Sequence, residues 1–143
     1  MYWPLRAYQA IAGAERAEDL IHRALEALRL GYAEEERRKA ELISHLRGFK
    51  TERAYDRLVG SLQDTNDDVR VMAVEALISF GPNKALPGLV ERLLDPQESA
   101  RIRTVIMEVL AESSWSLLKY RARLQNSLMP AYSIGADGRI VRS

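Results

Sequence analysis

One stretch of this chain returns 31 residues further on, and an internal repeat narrows the choice of fold more than any single motif. Ala54 to Asp64 matches Ala85 to Asp95, with Leu58, Leu62 and Asp64 recurring as Leu89, Leu93 and Asp95. The apolar residues in both copies have helical spacing, and both copies end on an aspartate. After each aspartate come a polar break and a second amphipathic run. Val69-Arg70 opens the first, with Ala73, Ala76, Leu77 and Phe80 on its apolar side. Ile102-Arg103 opens the next, with Ile106, Val109 and Leu110 in the same places. The offset there is 33, so the later loop is longer by two residues, and insertions of that size belong in loops.

A weaker copy lies upstream. Leu20, Ile21, Ala24, Leu25 and Leu28 form a stripe that falls on Ala54, Tyr55, Leu58, Val59 and Leu62 after a shift of 34. The same shift sets Ala40 to Ile43 on Val74 to Leu77, and a further 33 sets those on Met107 to Leu110. About three helix pairs are therefore predicted. Thr65 to Asp68 has capping-box spacing ahead of the run from Val69, and Asp67 and Asp68 suit the positive end of a helix dipole. Gly81-Pro82 ends that helix, and Ser99 is placed to cap the helix that starts near Ala100. No strand is predicted between Ala17 and Leu128.

The ends read differently. Trp115 to Leu124 is predicted as one more helix that covers the open end of the stack with Trp115, Leu117, Leu118, Leu124 and Leu128. Leu5 to Ala12 is predicted as a short helix doing the same at the other end. Tyr132-Ser133-Ile134 and Arg139-Ile140-Val141 flank Gly135-Ala136-Asp137-Gly138, a small hairpin or a tail. The expected organisation is an N-terminal segment or short capping helix over 1–16, a repeat domain over 17–128 and a tail or hairpin over 129–143.

Composition bounds what such a chain does. The formal net charge of +1 comes from 21 basic and 20 acidic residues closely interspersed, which gives no electrostatic reason to expect nonspecific binding to nucleic acid or an anionic membrane. The absence of cysteine excludes a disulfide framework, a thiolate zinc site and a cysteine nucleophile. No apolar run approaches membrane-spanning length, and the first residues lack the pattern of a secretory signal, so a cytoplasmic location is expected.

The repeated pattern is Leu-x-x-x-Leu-x-Asp, a polar break, Val-Arg-x-x-Ala-x-x-Ala-Leu, and then Gly with a Pro-containing helix start. It resembles the HEAT repeat and is most similar to the short version first named from phycobilisome lyases. The likeness is best from Ala54 to Pro82 and continues from Ala85 to Leu110. It implies an all-α fold, a right-handed α-α superhelix (HEAT-like solenoid) of about three helix pairs with capping helices. It also implies a ladder of aspartate and arginine between adjacent repeats, matched by Asp64 and Arg70 and by Asp95 with Arg101 or Arg103. The first copy departs, with Leu30 in the aspartate's place and Glu36 in the arginine's. Pro87 inside a first helix also fits the family pattern. The role expected of the ladder is structural.

Chemistry is sparse. His22 and His45 lie in different predicted helices without metal-ligand spacing, each four residues after a glutamate (Glu18, Glu41), which reads as surface pairing. There is no glycine-rich phosphate loop and no serine in a nucleophile elbow. No catalytic residue, cofactor or metal is therefore expected, and the chain reads as a non-enzyme. Two enzymatic likenesses stand beside that reading. Bilin lyases resemble the repeat, and HEAT-like DNA glycosylases use a basic face that only Lys119, Arg121 and Arg123 beside Trp115 and Tyr120 could imitate. That cluster also fits a solvated cap helix.

In HEAT-like solenoids the second helices line the concave side. Aligning the three copies puts Glu41, Glu75 and Glu108 in one row, with Val71, Met72, Thr104 and Val105 as an apolar strip beside it. Such a row repels phosphate and favours a basic partner segment. The expectation is a protein–protein interaction module, an adaptor, scaffold or assembly factor. The rivals are a nucleic-acid-binding or DNA-modifying HEAT-like protein, a bilin-lyase-like subunit, and a structural subunit whose tail adds a strand to a neighbour.

Overall fold

Short polar side chains set where the helices begin. A computed structural model describes the backbone of residues 3–28 and 33–142, with the side chains of 12–28 and 34–142. It contains three helix pairs: α1 (Trp3–Glu26) with α2 (Ala33–His45), α3 (Glu52–Ser61) with α4 (Asp67–Leu77), and α5 (Pro82–Leu94) with α6 (Ala100–Ser113). Thr51 caps α3 by accepting the Ala54 N–H at 3.1 Å, and Ser99 caps α6 by accepting from Ile102 at 3.3 Å. At α4 the cap is Asn66, not Thr65. Asp64 accepts the Asn66 N–H at 2.9 Å, and Asn66 in turn accepts from Asp68 at 2.8 Å and Val69 at 3.2 Å. The Asx turn from Asp64 carries the chain one residue further before the helix starts. Gly81 ends the second pair at φ 87°, ψ 169°, a region open essentially to glycine, and Pro82 follows at the start of α5.

The second helices α2, α4 and α6 lie side by side as one layer with α4 in the middle. Val69, Val71, Ala73, Val74, Ala76 and Leu77 of α4 are all buried. The first helices form the other layer, and each fully buried leucine there, such as Leu58, Leu89 or Leu93, stabilises the fold by about 1.5–3 kcal/mol over its exposed state. Pro87 lacks the N–H that would close the α5 turn above it, and near the break the Tyr55 hydroxyl donates to the Lys84 carbonyl at 2.9 Å.

The first copy sits one residue out of the expected register. Leu20 is 62% exposed, whereas Leu25 is buried and Ile21 half-buried. A shift of 33, not 34, sets Ile21 on Ala54 and Leu25 on Leu58. The inward face of α1 then takes Glu18 and His22, which are buried. Hydrophobicity alone pointed to Leu20. Leu5 to Ala12 lies within the continuous helix α1, but the side chains through Ile11 are outside the described residues, as is Leu30.

Beyond α6 the long cap helix expected from Trp115 to Leu124 is broken. Ser114 adopts the left-handed conformation (φ 57°, ψ 25°) and reverses the chain; a 3₁₀ turn (Leu118–Tyr120) and a one-turn helix α7 (Arg121–Leu124) follow. Leu117 and Leu124 are buried and Trp115 and Leu128 pack against the core, but Leu118 is half-exposed. Strands β1 (Tyr132–Ile134) and β2 (Ile140–Arg142) pair antiparallel, Ser133 opposite Val141. Helix α7 packs on α5 and β2 on α6, so these two pieces extend the two layers as a fourth pair would.

Gly138 fastens this ending. It has φ 86°, its carbonyl accepts the Leu117 N–H at 2.7 Å, and the Asp137 carbonyl accepts from the Ser116 hydroxyl at 3.1 Å. A Cβ at Gly138 would lie 2.6 Å from Leu118 Cγ and 2.8 Å from Leu118 N, and closer still to Ser116 Oγ. Gly138→Ala is expected to destabilise the fold by about 2–3 kcal/mol, from positive φ together with overpacking. Urea denaturation checks the loss, and faster amide exchange confined first to residues 115–142 checks its place.

Candidate functional site

Packing in the second-helix layer leaves each member one exposed stripe. On α2 it holds Glu34, Arg37, Arg38, Glu41 and His45; on α4, Asp68 and Glu75 with half-buried Met72; on α6, Arg101, Glu108 and Glu112 with half-buried Thr104 and Val105. Glu41, Glu75 and Glu108 are thus exposed on three neighbouring helices. Glu41 and Glu75 have no ion-pair partner among the described residues, and Glu108 has only Arg142 at 3.9 Å. Val71 is not part of this surface. It is 7% exposed, because its position on α4 faces the core. Thr104 is partly covered, its hydroxyl donating to the Ala100 carbonyl at 2.8 Å and lying 3.5 Å from Met129 Sδ.

Beside Glu75 the structure adds what the sequence reading missed. A hollow of about 470 Å³ opens between the C-terminal halves of α4 and α6, lined by Arg47, Glu75, Ile78, Val109, Glu112 and Ser113. Ile78 and Glu112 follow Glu75 and Glu108 by three and four residues, so helical spacing from the glutamate row is the signal that could have found them.

The residues proposed for the ladder are brought together differently from the expected pairs. Arg70 donates to the backbone carbonyl of Asp64 at 2.6 Å, and Arg103 donates to the carbonyls of Leu93 at 2.7 Å and Glu98 at 3.3 Å and to that of Asp95. Each arginine thereby ties the end of the preceding first helix or its loop. Of the carboxylates, Asp64 pairs across repeats with Lys39 of α2 and Asp68 does so with Arg101 at 2.7 Å, whereas Asp95 pairs with Arg92 of its own helix. The main rung is Glu98, which the two-residue longer loop supplies. Its side chain is 3% exposed and lies between Arg70 Nε at 3.3 Å and Arg92 Nη1 at 3.6 Å. The Arg70 contact is close enough for ion pairing but lacks hydrogen-bond alignment. Glu98 also accepts the Ser99 N–H at 2.9 Å.

The pair read as a surface contact at His22 is buried. Glu18 accepts from His22 Nε2 at 2.9 Å and from the Thr51 hydroxyl at 2.7 Å, while Arg57 Nε donates to His22 Nδ1 at 2.8 Å. Arg53 and Arg57 also reach Asp19 at 2.9 Å and Glu26 at 3.0 Å. Every polar atom named here has a partner, and the network clamps α1 to α3. Its geometry is that of a joint. Among the described residues no cluster of three metal-ligating side chains occurs and no helix is long and apolar enough to cross a membrane. In the basic C-terminal cluster, Arg123 pairs with Glu91 at 2.8 Å and Lys119 lies 5.8 Å from the Tyr120 ring centroid.

The family model for HEAT repeats matches residues 23–111, more than half of the chain. The chain belongs to the HEAT-repeat family. The match is to HEAT repeats in general; it runs from the last turn of α1 through α2, α3, α4 and α5 and nearly all of α6, and leaves out most of α1 and the hairpin. No curated protein and no solved structure matches the chain significantly. HEAT repeats commonly mediate protein–protein interaction, and the HEAT fold is typically non-catalytic.

Two measurements check these joints. Glu98→Gln removes the carboxylate that Arg70 and Arg92 share, leaving each its own aspartate, Asp67 and Asp95, and is expected to cost about 1–3 kcal/mol in urea denaturation. Asp95 is held below the ordinary aspartate value of 3.8, first by the Gln97 N–H and then by Arg92, and Asp19 is lowered mainly by Arg53. A depressed carboxyl contributes stability above its unfolded pKa and loses it as pH falls through the folded value. Asp95→Asn should therefore show a shallower fall in melting temperature than the parent as pH drops below 3.8, in thermal melts followed by circular dichroism.

Proposed function

We propose that this HEAT-repeat chain is a non-catalytic adaptor, scaffold or assembly factor that holds a basic segment of a protein partner against its second-helix face. The observation that carries this reading is the row Glu41, Glu75 and Glu108, exposed on three adjacent helices. Packed helices lie roughly 8–10 Å apart, so the carboxylates recur at about that spacing. A partner matches it with a lysine or arginine every third residue in a polyproline-II conformation, about 9 Å, or every seventh when helical. Ile78, Val109, Met72 and Val105 offer apolar surface for the stems of those side chains. The same row opposes a phosphate backbone, which sets this reading above a nucleic-acid-binding one. A cytoplasmic working place suits a chain without cysteine, which needs no oxidising compartment.

Affinity capture from an extract of the native cell, read by mass spectrometry, identifies the partner. Glu75→Lys with Glu108→Lys is expected to weaken its binding at least tenfold near 0.15 M salt with helicity unchanged. Binding that survives the double reversal removes this face from consideration.

A further inference from the structure

The hairpin has an edge that the fold leaves open. Gly135 donates its N–H to the Arg139 carbonyl at 2.8 Å, which sets the alternation of the ladder. Two residues on, Ser133 and Val141 exchange their backbone bonds, so Tyr132 and Ile134 turn theirs away from β2. The Tyr132 N–H is taken by the Met129 carbonyl at 2.9 Å. The Tyr132 carbonyl and both backbone groups of Ile134 are left on the free edge.

That edge does not face bare solvent. The three residues of β1 form one wall of a hollow of about 320 Å³, whose other side is Arg121, Gln125 and the segment Leu128-Met129-Pro130. Leu128, Met129 and Ile134 are half-buried, so an apolar side chain has somewhere to go. Arg121 is exposed and has no acidic partner among the described residues, unlike its neighbour Arg123, which Glu91 holds.

We propose that this edge and hollow bind an extended acidic segment of a partner by strand addition. One carbonyl of the segment accepts from Ile134, one N–H donates to the Ile134 carbonyl, an apolar side chain enters beside Leu128 and Met129, and an aspartate or glutamate meets Arg121. A second copy of this chain is the poorer occupant, because pairing two β1 edges brings a second Arg121 to the same hollow and no carboxylate. The site adjoins the second-helix face at the Met129–Thr104 contact but binds through different groups.

The test uses the whole chain and a displayed library of random twelve-residue peptides. Selected peptides should carry an acidic residue close to an aliphatic or aromatic one, and should slow exchange of the Ile134 amide at least tenfold. Arg121→Glu should weaken them at least tenfold. Ile134→Pro should do the same, since proline is tolerated on an outward-facing edge yet removes the N–H. Glu41→Lys with Glu75→Lys should leave them unchanged. The proposal is overturned if no peptide is enriched, or if the selected ones bind the Arg121 and Ile134 variants as tightly as the parent. It is equally overturned if sedimentation shows a dimer of the chain that Ile134→Pro abolishes.

Discussion

The fold turns on how closely α4 can be approached from two sides at once. Ala73 and Ala76 are small enough to let neighbouring helices come near, while Val69, Val74 and Leu77 fill the space between. Once α2 and α6 are seated against it, α4 has only the stripe through Asp68, Met72 and Glu75 left to show. The glutamate row is a consequence of that packing. Three helices stacked in one register must expose equivalent positions, and in this chain the equivalent positions hold glutamates.

The joints between successive first helices are built in unlike ways. Between α1 and α3 the contact is a polar network of Glu18, Asp19, His22 and Glu26 with Thr51, Arg53 and Arg57. Between α3 and α5 the centre is close apolar packing, where a Cβ on Gly88 would lie 2.9 Å from Leu62 Cδ1, and polar contacts of Tyr55 with the Lys84 carbonyl, Lys84 with Glu52 and Arg92 with the Leu62 carbonyl lie around it. A satisfied polar network specifies one geometry because any slip leaves a buried donor or acceptor without a partner. Apolar packing is less directional, and at the second joint Glu98 supplies the direction by pinning two arginines to one loop.

Periodicity made the three helix pairs legible, because a core-facing stripe must repeat with the helical turn. It misjudged α1, where Leu20 looked apolar enough to be inside and the buried places went to Glu18 and His22. Buried charge is recognisable only from its partners, and Thr51 and Arg57 lie 33 and 35 residues away from them. Glu98 was hidden for a related reason. The repeat pattern drew attention to Asp95 at the aligned position, but a longer loop moved the anion three residues on. At the C-terminal end the break at Ser114 depends on contacts from Gly138 and Asp137, far along the chain, so local propensity for a helix from Trp115 was overruled. The glutamate row was visible by alignment, whereas the hollow at Ile78 and Val109 needed two helices side by side.

A net charge of +1 says little about the surface such a chain presents. Lys39, Arg70, Arg92 and Arg103 are drawn into the joints, where they hold loop carboxylates and the carbonyls of helix ends and loops, and Arg57 is drawn onto His22 and Glu26 of α1. Cations spent on holding repeats together are not available to screen the exposed acids on α2, α4 and α6. The second-helix face keeps Arg37, Arg38 and Arg101 against Glu34, Glu41, Asp68, Glu75, Glu108 and Glu112, so it is net acidic where the whole chain is not, and fold and recognition share one set of charges.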